Sequence, residues 1–179
     1  RLTSHTGLSV YGPVTIAAPQ IVLRAPSIDR AADDSSLALI ADTLSLGNTG
    51  GFLAGPAAPV AVGGVFSMTA DEIEFADGST QVRGFAQVSA TAQDGIIGSG
   101  TAALFTTGDL GLFAPLVTTR DGDVLRIASG GALDVAGASS SSTPAGSGIG
   151  GIVRLEGARV TLATTVQAAA SAAARSFGN

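Results

Sequence analysis

Few residues in this chain could do chemistry. His5 is the single histidine, in RLTSHTG beside Ser4, and none of the 179 residues is a cysteine. A Ser–His pair becomes a nucleophile only when the two meet in space with a third group orienting the base, and adjacency in sequence does not supply that geometry. His5 therefore reads as an exposed residue ahead of the first repeat. Carboxylates cluster twice, as Asp71, Glu72, Glu74 and Asp77 in DEIEFAD and as Asp121 and Asp123 in DGD. Calcium asks for about six to eight converging oxygens. Neither stretch has the spacing of an EF-hand loop or of the nonapeptide repeat of calcium-binding β-rolls, and Asp77-Gly78 and Asp121-Gly122 read as turns. Asp109, Arg120 and Asp121 lie in or just after one unit and could share an outward face, as the two carboxylates and cation of a polysaccharide-cleaving β-helix would require. Nothing else singles them out. The glycine-rich stretches do not fit a phosphate-binding loop opening a helix, and no Thr-x-Thr column repeats. On these grounds no catalytic, cofactor-binding or metal-binding residue is assigned, no cofactor is expected, and the chain is read as not an enzyme.

The elements that would have to position any site are short strands. A ten-residue pattern, apolar-x-apolar-x-small-x-x-apolar-x-apolar, recurs as VTIAAPQIVL from Val14, LALIADTLSL from Leu37, FSMTADEIEF from Phe66, ALFTTGDLGL from Ala103 and VRLEGARVTL from Val153. It recurs once more, with one inserted residue, as LRIASGGALDV from Leu125. Aligned, the third column holds Ile16, Leu39, Met68, Phe105, Ile127 and Leu155. The eighth holds Ile21, Leu44, Ile73, Leu110, Leu133 and Val160, and the tenth Leu23, Leu46, Phe75, Leu112, Val135 and Leu162. The fifth is small or polar, which suits a corner between two strands. Period-2 alternation is the half-buried strand signal, and repetition without long helices between copies is a solenoid signature. A blurred copy, AQVSATAQDGII from Ala86, raises the count to seven units at a mean spacing of about 23 residues, which suits one coil of a β-helix. Stacking the coils in register would set each column on itself about 4.8 Å apart and pair every interior backbone group, leaving open groups only at the two ends.

These units, with their Gly- and Ser-rich interludes, resemble the filamentous haemagglutinin-like family of bacterial large exoproteins over about residues 8–165. The resemblance implies a right-handed parallel β-helix, secretion across the outer membrane and service as an adhesin shaft. The NPNG/NPNL-type secretion segment of that family is not found here, and autotransporter passengers have a similar solenoid.

Composition agrees with a stacked repeat. Hydrophobic residues make up 45% but aromatics only 4%, so Ala, Val, Ile and Leu must fill the core, and 25 glycines supply frequent turns. All nine basic residues are arginines, spread along a chain of net charge −5. That balance argues against nucleic acid and anionic membrane surfaces, which need a clustered basic footprint. No run of about 18 apolar residues suggests membrane insertion. The expectation is one all-β domain over 1–179, a right-handed parallel β-helix of roughly seven irregular coils, taken as a segment of a longer repeat protein. Residues 137–151 read as a flexible Ser/Gly-rich loop, and the Ala-rich 166–179 as a short helix or a frayed end. The expected role is a shaft of a secreted or surface-displayed bacterial adhesin, outside the cell. Its partners would be neighbouring coils of the same or identical chains, and a host surface or glycan met through 48–64, 84–101 and 137–151. A self-assembling filament or coat subunit and a polysaccharide-processing β-helix are the alternatives.

Overall fold

A computed structural model describes residues 1–51, 62–137 and 151–163, and the backbone of 171–176. The chain opens with β1 (Leu2–Thr3) and β2 (Leu8–Val10), then makes a full coil of β3 (Pro13–Ala17), β4 (Gln20–Arg24) and β5 (Ser27–Arg30). The next coil contributes β6 (Ser36–Ile40) and β7 (Thr43–Gly47). Two long strands follow, each with a shorter partner: β8 (Gly63–Phe75) with β9 (Gly78–Arg83), and β10 (Phe85–Gly98) with β11 (Thr101–Thr106). Then come β12 (Asp109–Phe113), β13 (Val117–Thr119) and β14 (Val124–Ser129), followed by β15 (Ala132–Ala136), β16 (Ile152–Gly157), β17 (Arg159–Leu162) and β18 (Ser171–Ser176).

All strand pairs are parallel, forming an 11-stranded and a 7-stranded sheet. The larger sheet folds into two walls because β8 and β10 run through its corner. Residues 66–69 of β8 pair with β6, and residues 72–75 pair with β7. The molecule is therefore a three-walled parallel β-helix. Wall 1 carries seven rungs (β3, β6, the first halves of β8 and β10, β12, β15, β17), about six turns from first to last. Wall 2 holds β1, β4, β7, the second halves of β8 and β10, and β13. Wall 3 is the 7-stranded sheet.

Alternation places every second side chain inside. One column of wall 1 runs Val14, Leu37, Phe66, Val88, Leu110, Leu133, Val160, and a second runs Ile16, Leu39, Met68, Ala90, Leu112, Val135, Leu162. Members of both columns are buried in the middle of the stack and lose cover toward its ends, where Ile16 is 36% and Leu162 47% exposed. The core is aliphatic, with Phe66 and Phe85 in a tilted contact at 5.8 Å between ring centroids.

Four departures from the sequence reading have identifiable causes. The six aligned units do not share one corner. The first three span walls 1 and 2, whereas those from Ala103, Leu125 and Val153 span walls 3 and 1. Leu110 thus stacks on Val88 and Leu133, in the column of Leu37 and Phe66 and not in that of Leu44 and Ile73. Any two consecutive walls satisfy the same ten-letter rule, so the rule cannot report which corner it describes. Second, Phe105 points outward. Leu104 pairs with Ile127 and Phe105 with Ala128, so Ala102, Leu104 and Thr106 face in. A one-residue slip moves a whole strand to the other face.

Third, 84–101 is no loop. It is β10 with its flanks, and the blurred unit within it is a regular rung carrying one extra residue between Ala92 and Gly95 at the corner. Fourth, Ser171–Ser176 of the Ala-rich tail is a strand paired with β16, neither helix nor frayed end. A rung that pairs its whole backbone outweighs the helix propensity of alanine. Residues 164–170 and 177–179 lie outside the described residues. Among the described residues there is no helix, hence none long and apolar enough to cross a membrane.

Of the segment 48–64, residues 48–51 and 62–64 are described, and they flank a gap in wall 3. Wall 3 has no rung between β5 and β9: Ile28 pairs directly with Val82. Asn48, buried, begins that missing rung by donating its backbone N–H to Asp77 O at 3.0 Å and its side-chain amide to Ser79 O at 3.1 Å. Its carbonyl approaches Gly78 so closely that a Cβ there would lie 2.1 Å away. The Gly63 N–H bonds Gly84 O, with the buried Arg30 lying against Gly63 and Gly64. Residues 52–61, like 138–150 in the expected loop 137–151, lie outside the described residues.

Candidate functional site

The outer face of wall 1 is where side chains of different coils meet in a depression. Its outward column runs Thr15, Ala38, Ser67, Ser89, Gly111, Asp134, Thr161, with Gln87 beside Asp109 on one flank and Thr91 beside Phe113 on the other. Gly111 has no side chain, so the column is interrupted there, and the Phe113 ring lies back across the gap: a Cβ on Gly111 would be 2.6 Å from Phe113 Cε2. Gln87, Ser89, Asp109, Gly111, Phe113 and Asp134 outline a groove of about 250 Å³, floored by Val88 and Leu110. Phe113 is 40% exposed, and it is the one aromatic residue in the outward columns of wall 1 among the described residues. Asp109 Oδ1 accepts the Ala132 N–H at 2.8 Å and so fixes the next corner. Asp134, Gln87 and Ser89 have no side-chain partner among the described residues, and no cationic residue lines the groove.

Elsewhere, three sets of outward polar side chains are tied to one another across coils. On wall 2, Arg24 donates to Ser45 O at 3.0 Å and to Ser45 Oγ at 2.9 Å. Ser45 Oγ then donates to Glu74 Oε2 at 2.7 Å, and Arg120 reaches Glu74 Oε1 at 3.3 Å. Burial lowers the Arg24 pKa, while Glu74 acts to raise it and Arg1 to lower it; an arginine so placed still keeps its charge. On wall 3, Arg83 clasps Asp29 through Nε at 2.5 Å and Nη2 at 2.8 Å, joining the two strands that meet across the skipped rung. Arg126 pairs with Glu156 at 2.7 Å and lies 5.1 Å from the centroid of Phe105. These ladders hold coils together and offer no open chemistry.

The residues weighed for catalysis are dispersed. Asp109 opens β12 on wall 1, whereas Arg120 and Asp121 sit in the turn between β13 and β14, at the corner of walls 2 and 3. His5 is exposed between β1 and β2. Of the acidic pair of stretches, Glu74 is engaged by Ser45 and Arg120, and Asp77 Oδ1 accepts the Thr101 N–H at 2.9 Å. Among the described residues no group of three or more His, Asp and Glu could hold a metal ion. The groove was not legible in sequence because its members come from three coils: Gln87 and Ser89, then Asp109, Gly111 and Phe113, then Asp134. The pattern assigned those positions only to the outside.

The first rungs form a second feature. Leu2, Leu8, Val10, Val14 and Ile16 surround an apolar hollow of about 130 Å³, open where the stack begins. Comparison with protein-family models, with curated proteins and with solved structures finds no match to this chain.

Proposed function

We propose that this chain is a shaft segment of a secreted or surface-displayed bacterial adhesin, acting outside the cell by holding attachment sites on a stiff rod. The observation that supports this reading is the continuity of the stack. Wall 3 pairs β5 directly with β9, although the segment from Asn48 to Gly63 lies between them in sequence. A rod that closes under an insertion keeps its length and register whatever the insertion carries, which is what a presenting scaffold needs. The role is mechanical, with no bond made or broken. Purified chain, and versions with 52–61 or 138–150 replaced by short Gly-Ser bridges, should be compared for adherence to cells and immobilised glycans. Adherence by the stably folded intact chain that falls on replacement fits this reading. Absence of adherence to every surface would remove it.

The open apolar hollow favours a second reading, end-to-end assembly with further coils of the same or an identical chain. A first rung with Ile16 36% and Leu2 46% exposed gains burial when another coil covers it. Light scattering and electron microscopy decide this. Concentration-dependent rods that Ile16→Asp abolishes would support assembly, and a monomer at all concentrations would exclude it.

A further inference from the structure

We infer that the wall 1 groove binds an uncharged pyranose oligosaccharide, with one sugar ring stacked on Phe113 and its hydroxyls bonded to Asp134, Asp109 and Gln87. The inference rests on the attachment reading and adds to it a contact on the rod itself, beside those tested at 52–61 and 138–150. Three observations carry it. Phe113 is a large apolar side chain spent on the outside, 40% exposed, at a position occupied in the stacked rungs by Ile40, Thr69, Thr91 and Ala136. Its ring occupies the space left by the absence of a side chain at Gly111, so it is held within the groove and not extended away from the wall. A pyranose has an apolar C–H face that such a ring accepts, and aromatic contacts of this kind are worth about 0.5–1.5 kcal/mol beyond area.

The polar complement matches the rest of a sugar. Carboxylates only accept, so Asp134 and the second oxygen of Asp109 suit hydroxyl donors, while Gln87 and Ser89 offer both donors and acceptors. Consecutive rungs are about 4.8 Å apart and residues two apart on a strand about 6.7 Å. The backbone positions of Asp109 and Asp134, one rung and two residues apart, are therefore separated by about 8 Å, a span that places their side chains on opposite sides of one pyranose ring. Charge selects among sugars: two carboxylates and no cation in the lining repel sialylated, sulfated and uronic chains. The same argument excludes phosphates.

The test is titration of the purified chain with cellohexaose, mannohexaose and chitohexaose, with a heparin hexasaccharide as the charged counterpart, by saturation-transfer NMR and calorimetry. At least one neutral hexasaccharide should bind at micromolar to millimolar concentration. Phe113→Ala and Asp134→Asn should each weaken it about tenfold, the loss expected for one stacking contact or one charged hydrogen bond. Gly111→Ala should weaken it as well, because the new methyl displaces the Phe113 ring while deleting no side chain of the groove. Arg154→Ala on the outside of wall 3 should change nothing. Circular dichroism shows that each variant retains the fold. No binding of any of the three neutral sugars up to 10 mM (about the weakest affinity such a contact would give), binding of heparin alone, or binding that survives Phe113→Ala and Gly111→Ala would each overturn the inference. Cell adherence unaffected by Phe113→Ala would also overturn the groove while leaving the shaft reading intact.

Discussion

The orientation of β11 offers a direct test of the coil register. Leu104 and Phe105 are neighbours, and by size alone the phenylalanine is the more costly loss, since buried Phe→Ala changes cost about 3–5 kcal/mol. The structure reverses the order. Leu104 is 1% exposed between Thr80 and Ile127 in adjacent coils. Leu104→Ala removes three carbons at about 0.8 kcal/mol each and leaves a cavity that the stacked coils cannot collapse, giving about 3 kcal/mol. Phe105 is half-buried on the outside with Arg126 at 5.1 Å from its ring, so Phe105→Ala should cost about 1 kcal/mol, mainly that contact. Urea unfolding followed by circular dichroism measures both. A double-mutant cycle with Arg126→Ala should return a coupling of about 0.5–1 kcal/mol for Phe105 and none for Leu104. Because repeats can unfold in parts, protection of the β11 and β14 amides from hydrogen exchange should fall for Leu104→Ala and hold for Phe105→Ala. Equal costs, or a larger cost for Phe105, would refute the register of wall 3.

Arg83→Met should destabilise by about 2–3 kcal/mol, because it leaves the largely buried Asp29 carboxylate without its bidentate partner; exchange should quicken at Ile28 and Val82, and an unchanged midpoint would deny the clasp a role in closing the skipped rung. Two turns that look alike in sequence should respond differently: Gly78→Ala adds a Cβ 2.1 Å from Asn48 O to a positive φ and should cost more than about 2 kcal/mol, whereas Gly122→Ala faces open space and should cost about 1 kcal/mol from φ alone. Thermal melts of the pair would expose any error in that order. Asn48→Ala should cost about 1 kcal/mol by removing the hydrogen bond that the buried Asn48 amide donates to Ser79 O, with Asn48→Asp no rescue because a carboxylate cannot donate; a neutral Asn48→Ala would show that water replaces the amide.

The sequence by itself determined the class of fold, the length of a coil and the identity of most of the core. A strand that is half buried must alternate, and coils that stack must repeat that alternation at a fixed interval, so both rules leave a trace in the order of residues. In the first three units the trace was complete: Ile16, Leu39 and Met68, then Ile21, Leu44 and Ile73, then Leu23, Leu46 and Phe75, stack as aligned. What the order of residues could not hold was phase. Walls 1, 2 and 3 obey the same alternation, so a unit spanning walls 3 and 1 is written in the same letters as one spanning walls 1 and 2. Only hydrogen bonding between coils decided that Leu110 lies over Val88 and that Phe105 faces out. The same holds for every contact between outward side chains. Asp29 meets Arg83 across 54 residues, and Ser89, Gly111 and Asp134 share one groove a coil apart each. Local chemistry fixes which residues go inside; which outside residues become neighbours is set by the stack, because each coil adds a variable number of residues before it returns to the same wall.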